Sequence, residues 1–123
     1  MDLLLDTHAF LWWDSHDPNL PSAFQAAIES PKNNIHVSAA TVWEIAIKRA
    51  TGKLVFSGST AKSIARHGFS PLPITVEHAE WAGSLPSLHR DPFDRLLVAQ
   101  AQLENLILVT IDQQILRYQV PHL

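Results

Sequence analysis

Cysteine is missing from all 123 residues. Its absence excludes disulfides, thiolate metal sites and cysteine nucleophiles, and it suits a reducing compartment. Long apolar runs are missing too, and no stretch approaches the roughly 18 residues needed to cross a bilayer. The amino-terminal MDLLLDTHAFLWWDSHD has no basic leader, and Asp2 and Asp6 interrupt it. No secretory signal is therefore expected, and the expected location is cytoplasmic. A surplus of positive charge is also lacking. Nine Lys+Arg face twelve Asp+Glu, which leaves a net charge of −3 and a pI of about 6.1. A nucleic-acid partner is thus not advertised by bulk charge. The seven histidines are scattered, with no pair four residues apart and no HExxH, so the common zinc-hydrolase pattern is excluded. There is no internal repeat, low-complexity tract or linker.

What is present is apolar enough for a core, at 46% hydrophobic, and the length suits one domain, residues 1–123. Leu3-Leu4-Leu5, stopped by Asp6-Thr7, reads as a buried strand. A short helix follows over 8–15 and another over 22–29. Ile35-His36-Val37 is a second strand, and Ser38 is placed to cap a helix over 39–51 that stops at Gly52. A short helix near 60–67 precedes an extended stretch, 69–74, which Pro71 and Pro73 confine to an edge. Helices are expected over 75–84 and from Pro92 to about Asn105. Leu106-Ile107-Leu108-Val109-Thr110 is the clearest buried strand, Asp112 starts a helical turn, and Val120 begins a final short strand. Alternating helices and short, doubly apolar strands predict an α/β/α sandwich around a central parallel sheet. In such sheets ligands sit beyond the carboxyl ends of the strands.

Acids fall there. Asp6 ends the first strand, Glu44 lies in the helix after the second, Asp94 opens the helix before the Leu106–Thr110 strand, and Asp112 follows that strand. Each also has a local explanation. Asp91-Pro92-Phe93-Asp94 fits a helix start, with Asp91 at the N-cap, Pro92 at N1 and Asp94 at N3. Glu44 sits four residues before Lys48 in the favoured ion-pair orientation. Asp112 can cap the turn that follows it. Asp6, directly after three leucines, needs a partner if it is buried. These readings treat the acids singly, whereas the topology draws them together. Two like charges about 4 Å apart repel by about 4 kcal/mol at an effective dielectric near 20. A cation, or protonation of some members, offsets such a cluster. Oxygen ligands point to Mg²⁺ or Mn²⁺, ions that serve phosphodiester cleavage.

LLLDTHAFLWW, VSAATVWEIAIK, HRDPFDRLLVAQA and LVTID, in this order, resemble the PIN-domain family, specifically its VapC-type toxin ribonucleases of toxin–antitoxin pairs. The resemblance spans essentially the whole chain. It implies an acidic pocket binding Mg²⁺ or Mn²⁺, endonucleolytic cleavage of RNA, a homodimer, and a VapB-type antitoxin laid across the pocket. Motif for motif, it implies that Asp6, Glu44, Asp94 and Asp112 are the catalytic and metal-holding acids. Thr110 then supports the site as the hydroxyl of T-x-D, and Asp91 caps its helix, with a supporting metal role as the second option.

Other residues admit two readings. His8, near Asp6, is either a substrate contact or a packing residue. His89 and Arg90 are candidate phosphate contacts, and Arg95 holds either a phosphate or an acid. Lys48, Arg49, Lys53, Lys62 and Arg66 line an RNA path or a solvated face. Of Trp12, Trp13, Trp43 and Trp81, most are expected in the core, with one or two left for a partner. Two rival functions exist. A phosphoacceptor receiver domain shares the sheet, but it wants paired acids after the first strand and a late lysine. Here Asp6 precedes Thr7, and no lysine follows Lys62. A catalytically silent binding module of the same fold would tend to have lost the acids.

Overall fold

The structure, a computed structural model, describes Met1–Leu123. Four strands make one parallel sheet: β1 (Asp2–Leu5), β2 (Asn34–Ser38), β3 (Ser70–Leu72) and β4 (Ile107–Val109), in spatial order β3-β2-β1-β4. Six α-helices connect them: α1 (Thr7–Asp14), α2 (Ser22–Glu29), α3 (Ala39–Ala50), α4 (Thr60–Arg66), α5 (Val76–Ser84) and α6 (Pro92–Leu103). A 3₁₀ turn covers Ile115–Arg117. The alternation of side chains along β1 splits the interior in two. Leu3 and Leu5 join Phe10, Phe24, Ile35, Val37 and Ile45 on one face. Leu4 joins Leu97, Val98, Leu108, Ile115 and Tyr118 on the other. The result is the expected α/β/α sandwich, with the central β1 and its neighbour β4 apolar on both faces because helices cover both.

Local chemistry sets the element ends. Asp91 caps α6 by accepting from the amides of Phe93 (2.9 Å) and Asp94 (3.0 Å), with Pro92 at the first helical position. Ser38 caps α3 through the Ala40 amide. Gly52, at φ +74°, closes the other end of α3 in the left-handed conformation that glycine accepts without strain. Pro71 lies in β3, which pairs only with β2, so its missing amide costs no ladder bond on the open edge.

Two expectations need correction. Val120 begins no strand; His122 makes only an isolated parallel bridge to Leu108. The tryptophans are not mostly core. Trp12 and Trp13 are half-buried, while Trp43 and Trp81 are 59% and 45% exposed. Trp43 packs edge-on against Phe93 instead, because α3 already fills the interior with Ala40, Thr41, Glu44 and Ile45.

Chain order reverses between β1 and β4. The chain builds outward from β1 to β2 to β3, then returns to lay β4 on the other side of β1. A crevice opens at the carboxyl ends of such a pair. The residues immediately after β1 and β4 are therefore the ones to inspect.

Candidate metal centre

Asp6 follows β1 and is 3% exposed. One carboxylate oxygen caps α1 by accepting from the Ala9 amide at 2.8 Å, and the other accepts from the Thr110 hydroxyl at 2.6 Å. Thr110 in turn accepts from the Asp112 amide at 3.0 Å, so the T-x-D turn after β4 is stitched to the acid after β1. Burial pushes the Asp6 carboxyl above its ordinary value. The two hydrogen bonds offset part of that, and the charge of Asp112 adds to it. Asp112 also caps the turn that follows it, accepting from the Gln114 amide at 2.8 Å.

Glu44 is 5% exposed on the inner face of α3. Thr7 donates to one oxygen at 2.6 Å, and Lys48 Nζ donates to the other at 2.7 Å. The pair is local, as i,i+4 spacing allows, but it is more than a surface bridge. The Glu44 hydrogen bond first of all, then the charges of Glu44, Asp91 and Asp94, hold the Lys48 ammonium above its ordinary pKa. Lys48 is thus the chain's own cation at the acid cluster.

Asp94 sits one turn into α6, half-buried, and accepts from His89 Nε2 at 2.8 Å. Its carboxyl is pushed up to about 6, chiefly by burial and further by the charges of Asp91, Glu44 and Asp112, against the pull of His89. Ligand atoms of His89, Asp94 and Asp112 lie within 4.8 Å of one another. The structure therefore brings two of the four expected acids into one tight group. Asp6 adjoins that group through Thr110, and Glu44 faces it beside Lys48. The third member, His89, was expected only as a phosphate contact. Its signal was spacing: five residues before Asp94, on the chain just ahead of a helix start, a side chain can fold back onto the first turn.

The acid-pairing reading of Arg95 needs correction, since its guanidinium meets no carboxylate. Its guanidinium donates to the carbonyls of Ala82 (2.8 Å), Pro86 (3.1 Å), Leu85 (3.1 Å) and His89 (3.3 Å), and to the Tyr118 hydroxyl (3.1 Å). It fastens the segment that carries His89. Asp91 faces its own helix amides, and its charge reaches the cluster at a distance. His8 is exposed at the mouth, where it lines a small cavity with Asp6, Trp12, Ile111 and Asp112.

The donor set suits a hard divalent cation. It offers carboxylate oxygens from separate elements, no sulfur, and an acid whose ionisation is disfavoured until positive charge arrives. His89 already shares Asp94's proton-accepting edge, as outer partners that orient a ligating carboxylate do.

Fold and site together define a class: parallel α/β/α domains with an acid-lined crevice where the sheet order reverses. Within it, the chain belongs to the PIN domain family, whose model matches residues 3–121. No curated protein matches the chain. Solved structures share the fold across nearly its full length. VapBC2 from Rickettsia felis, bound to a DNA fragment from its promoter, is similar at 16% identity and a TM-score of 0.70, covering 100% of this chain and 98% of that one. A toxin–antitoxin complex from Klebsiella pneumoniae is similar at 21% identity and TM-score 0.67, covering 98% and 95%. FitAcB from Neisseria gonorrhoeae is similar at 19% identity and TM-score 0.62, covering 99% and 96%. No helix is long and apolar enough to cross a membrane.

Proposed function

We propose that this PIN-domain protein is a Mg²⁺- or Mn²⁺-dependent endoribonuclease, acting in the cytoplasm as the toxin of a toxin–antitoxin pair. One observation carries the reading. The fold spends stability to set Asp94 and Asp112 beside each other at the switch point, with Asp6 and Glu44 buried next to them. Asp94, Asp112, Asp6 and Glu44 are the groups that would hold the ion. When bound, the ion supplies Lewis-acid polarisation of the phosphate and a lowered pKa for water.

The chain's residues do the rest. Thr110 and the Ala9 amide fix both oxygens of Asp6, so its charge faces the crevice in one orientation. Thr7 and Lys48 do the same for Glu44. His89 holds one oxygen of Asp94. Water attacks phosphorus in line, a carboxylate of the cluster takes its proton, and the P–O3′ bond breaks; the leaving 3′-oxygen takes a proton from solvent, giving a 3′-hydroxyl and a 5′-phosphate. The 2′-hydroxyl takes no part. Solved relatives described as VapBC and toxin–antitoxin complexes support an antitoxin partner. The exposed Trp43 and Ile47 on α3 leave apolar surface for the homodimer or that partner.

The test is cleavage of total RNA by the purified protein with Mg²⁺, with chelator, and with Asp94→Asn. Cleavage should need the ion and vanish in the variant, and sequencing of new 5′ ends would identify the RNA. Equal cleavage by wild type and Asp94→Asn would overturn the reading.

A further inference from the structure

The small cavity at Asp6 and Asp112 does not stand alone. Two of its lining residues, His8 and Trp12, also line a larger trench of about 640 Å³ between α1 and the segment after α3. That size falls within the usual range for ligand clefts. Lys48, already at the acid cluster, faces the trench as well, and Lys53 and Arg66 lie farther along it. A continuous path thus leaves the carboxylates, crosses a half-buried indole with an imidazole tilted 46° against it (ring centroids 5.8 Å apart), and reaches two exposed cations.

The trench is built rather than incidental. Its outer wall, the segment carrying Phe56, is pinned by Arg49. That guanidinium donates to the Gly58 carbonyl at 2.9 Å and sits 5.9 Å over the Phe56 ring. Phe56 stacks in turn on the core residue Phe10. Two acids line the trench, but their carboxylates are engaged. Asp14 is held by Ser63, by His67 at 2.8 Å and by Arg66 at 3.5 Å, and Asp17 accepts from the Asn19 amide at 2.8 Å. Lys53 makes no ion pair, and the Arg66 side chain stays 68% exposed beside Asp14.

Alternating cations and an aromatic face are what a single nucleic-acid strand needs: phosphates take the charges, and an unstacked base takes the ring. Resting on the ribonuclease reading above, we propose that this trench holds the single-stranded RNA flanking the scissile phosphate. The neighbouring base stacks on Trp12 and His8, and the next phosphates lie at Lys53 and Arg66. The acid pocket cuts, and the trench selects strands whose bases are free to splay out. A duplex cannot offer a base to Trp12 and should bind more weakly.

The experiment uses full-length Asp94→Asn protein, so that bound RNA stays intact, and fluorescence anisotropy with a labelled single-stranded RNA oligonucleotide. Adding Trp12→Leu or His8→Ala should weaken binding about tenfold. Adding Lys53→Ala should lower the salt dependence of log K by about 0.7. Lys32→Ala, on the far side, serves as the control and should change neither. Thermal melts confirm folding of the Trp12 variant; His8 and Lys53 are exposed, so their variants carry the test if Trp12→Leu does not fold. Unchanged affinity and salt slope in the His8 and Lys53 variants, or equal binding of a duplex of the same length, would overturn the trench. In the parent protein, Lys53→Ala should raise KM more than it lowers kcat. Cleavage with KM untouched refutes the trench and leaves the nuclease standing. Oligonucleotide bound through the trench but never cleaved by the parent supports the trench and refutes the nuclease.

Discussion

β1 carries an aspartate at each end, and the two lead different lives. Asp2, at the amino end, is exposed, and hydrogen bonds from Asn34 and then His36 hold its carboxyl below its ordinary value. Asp6, just past the carboxyl end, is buried among other acids and is pushed above it. The same residue type flanks the same strand, only the sheet edge differs, and the sign of the shift reverses. At the amino edge a carboxylate finds neutral and basic neighbours and adds a little stability. At the carboxyl edge the fold accumulates charge that folding alone would not favour, a common mark of a functional site.

The sharpest way to break this comparison is to neutralise each end in turn. Asp6→Asn or Asp94→Asn should cut RNA cleavage by at least about a thousandfold, a loss expected where a group acts in the transition state. Asp2→Asn should leave cleavage unchanged in the same gel assay. If Asp2→Asn is as damaging, the carboxyl edge holds no special role.

The next effect is on stability against pH. For Asp94 the native carboxyl titrates near 6 against an ordinary 3.8, so the native state binds the extra proton between those values. The contribution of Asp94 to the stability of the metal-free protein should then be greatest below about pH 4. It should fall as pH rises to about 6, by roughly 3 kcal/mol at most from this group. Asp6 acts in the same direction and Asp2 in the opposite one, its contribution being lost as pH falls. Melting curves from pH 4 to 7.5 should show the fall in wild type and a smaller one in Asp94→Asn. Mg²⁺ should raise the melting temperature more at pH 7.5 than at pH 5.

Smaller effects should follow hydrogen-bond partners. Thr110→Val leaves the buried Asp6 carboxylate one donor short and should cost about 1–3 kcal/mol by denaturant melt. Asn34→Ala, at the exposed end, should cost under about 0.5 kcal/mol. Smallest among the site variants, Asp91→Ala should lose a helix cap worth about 1 kcal/mol while cleavage persists. Complete loss of cleavage would instead assign Asp91 to the metal.

Much of this was legible in the residues. Apolar triplets followed by an acid or hydroxyl mark β1 and β4, and the D-P-x-D start of α6 states its own cap. The convergence of acids followed from strand-end logic. Less legible was anything decided by long-range fit. Arg95 reads as a free charge beside Asp94, yet it points the other way, because five oxygens from 82–89 and Tyr118 surround it. The tryptophans read as core by hydrophobicity, but two interior layers already full of aliphatic side chains had no space for all of them. Val120 reads as a strand by propensity, yet the chain there meets Leu108 only through Pro121 and the last two residues.

The position of β4 carries a further consequence for how the crevice is completed. Thr110, Asp112 and Tyr118 follow β4, and they supply the hydroxyl that orients Asp6, one acid of the tight group, and an anchor for the segment bearing His89. If β4 came away from β1, Asp6 and Glu44 would keep their places while the opposite wall of the crevice went with the departing strand. The pairing of one three-residue strand and the assembly of the site are therefore a single equilibrium.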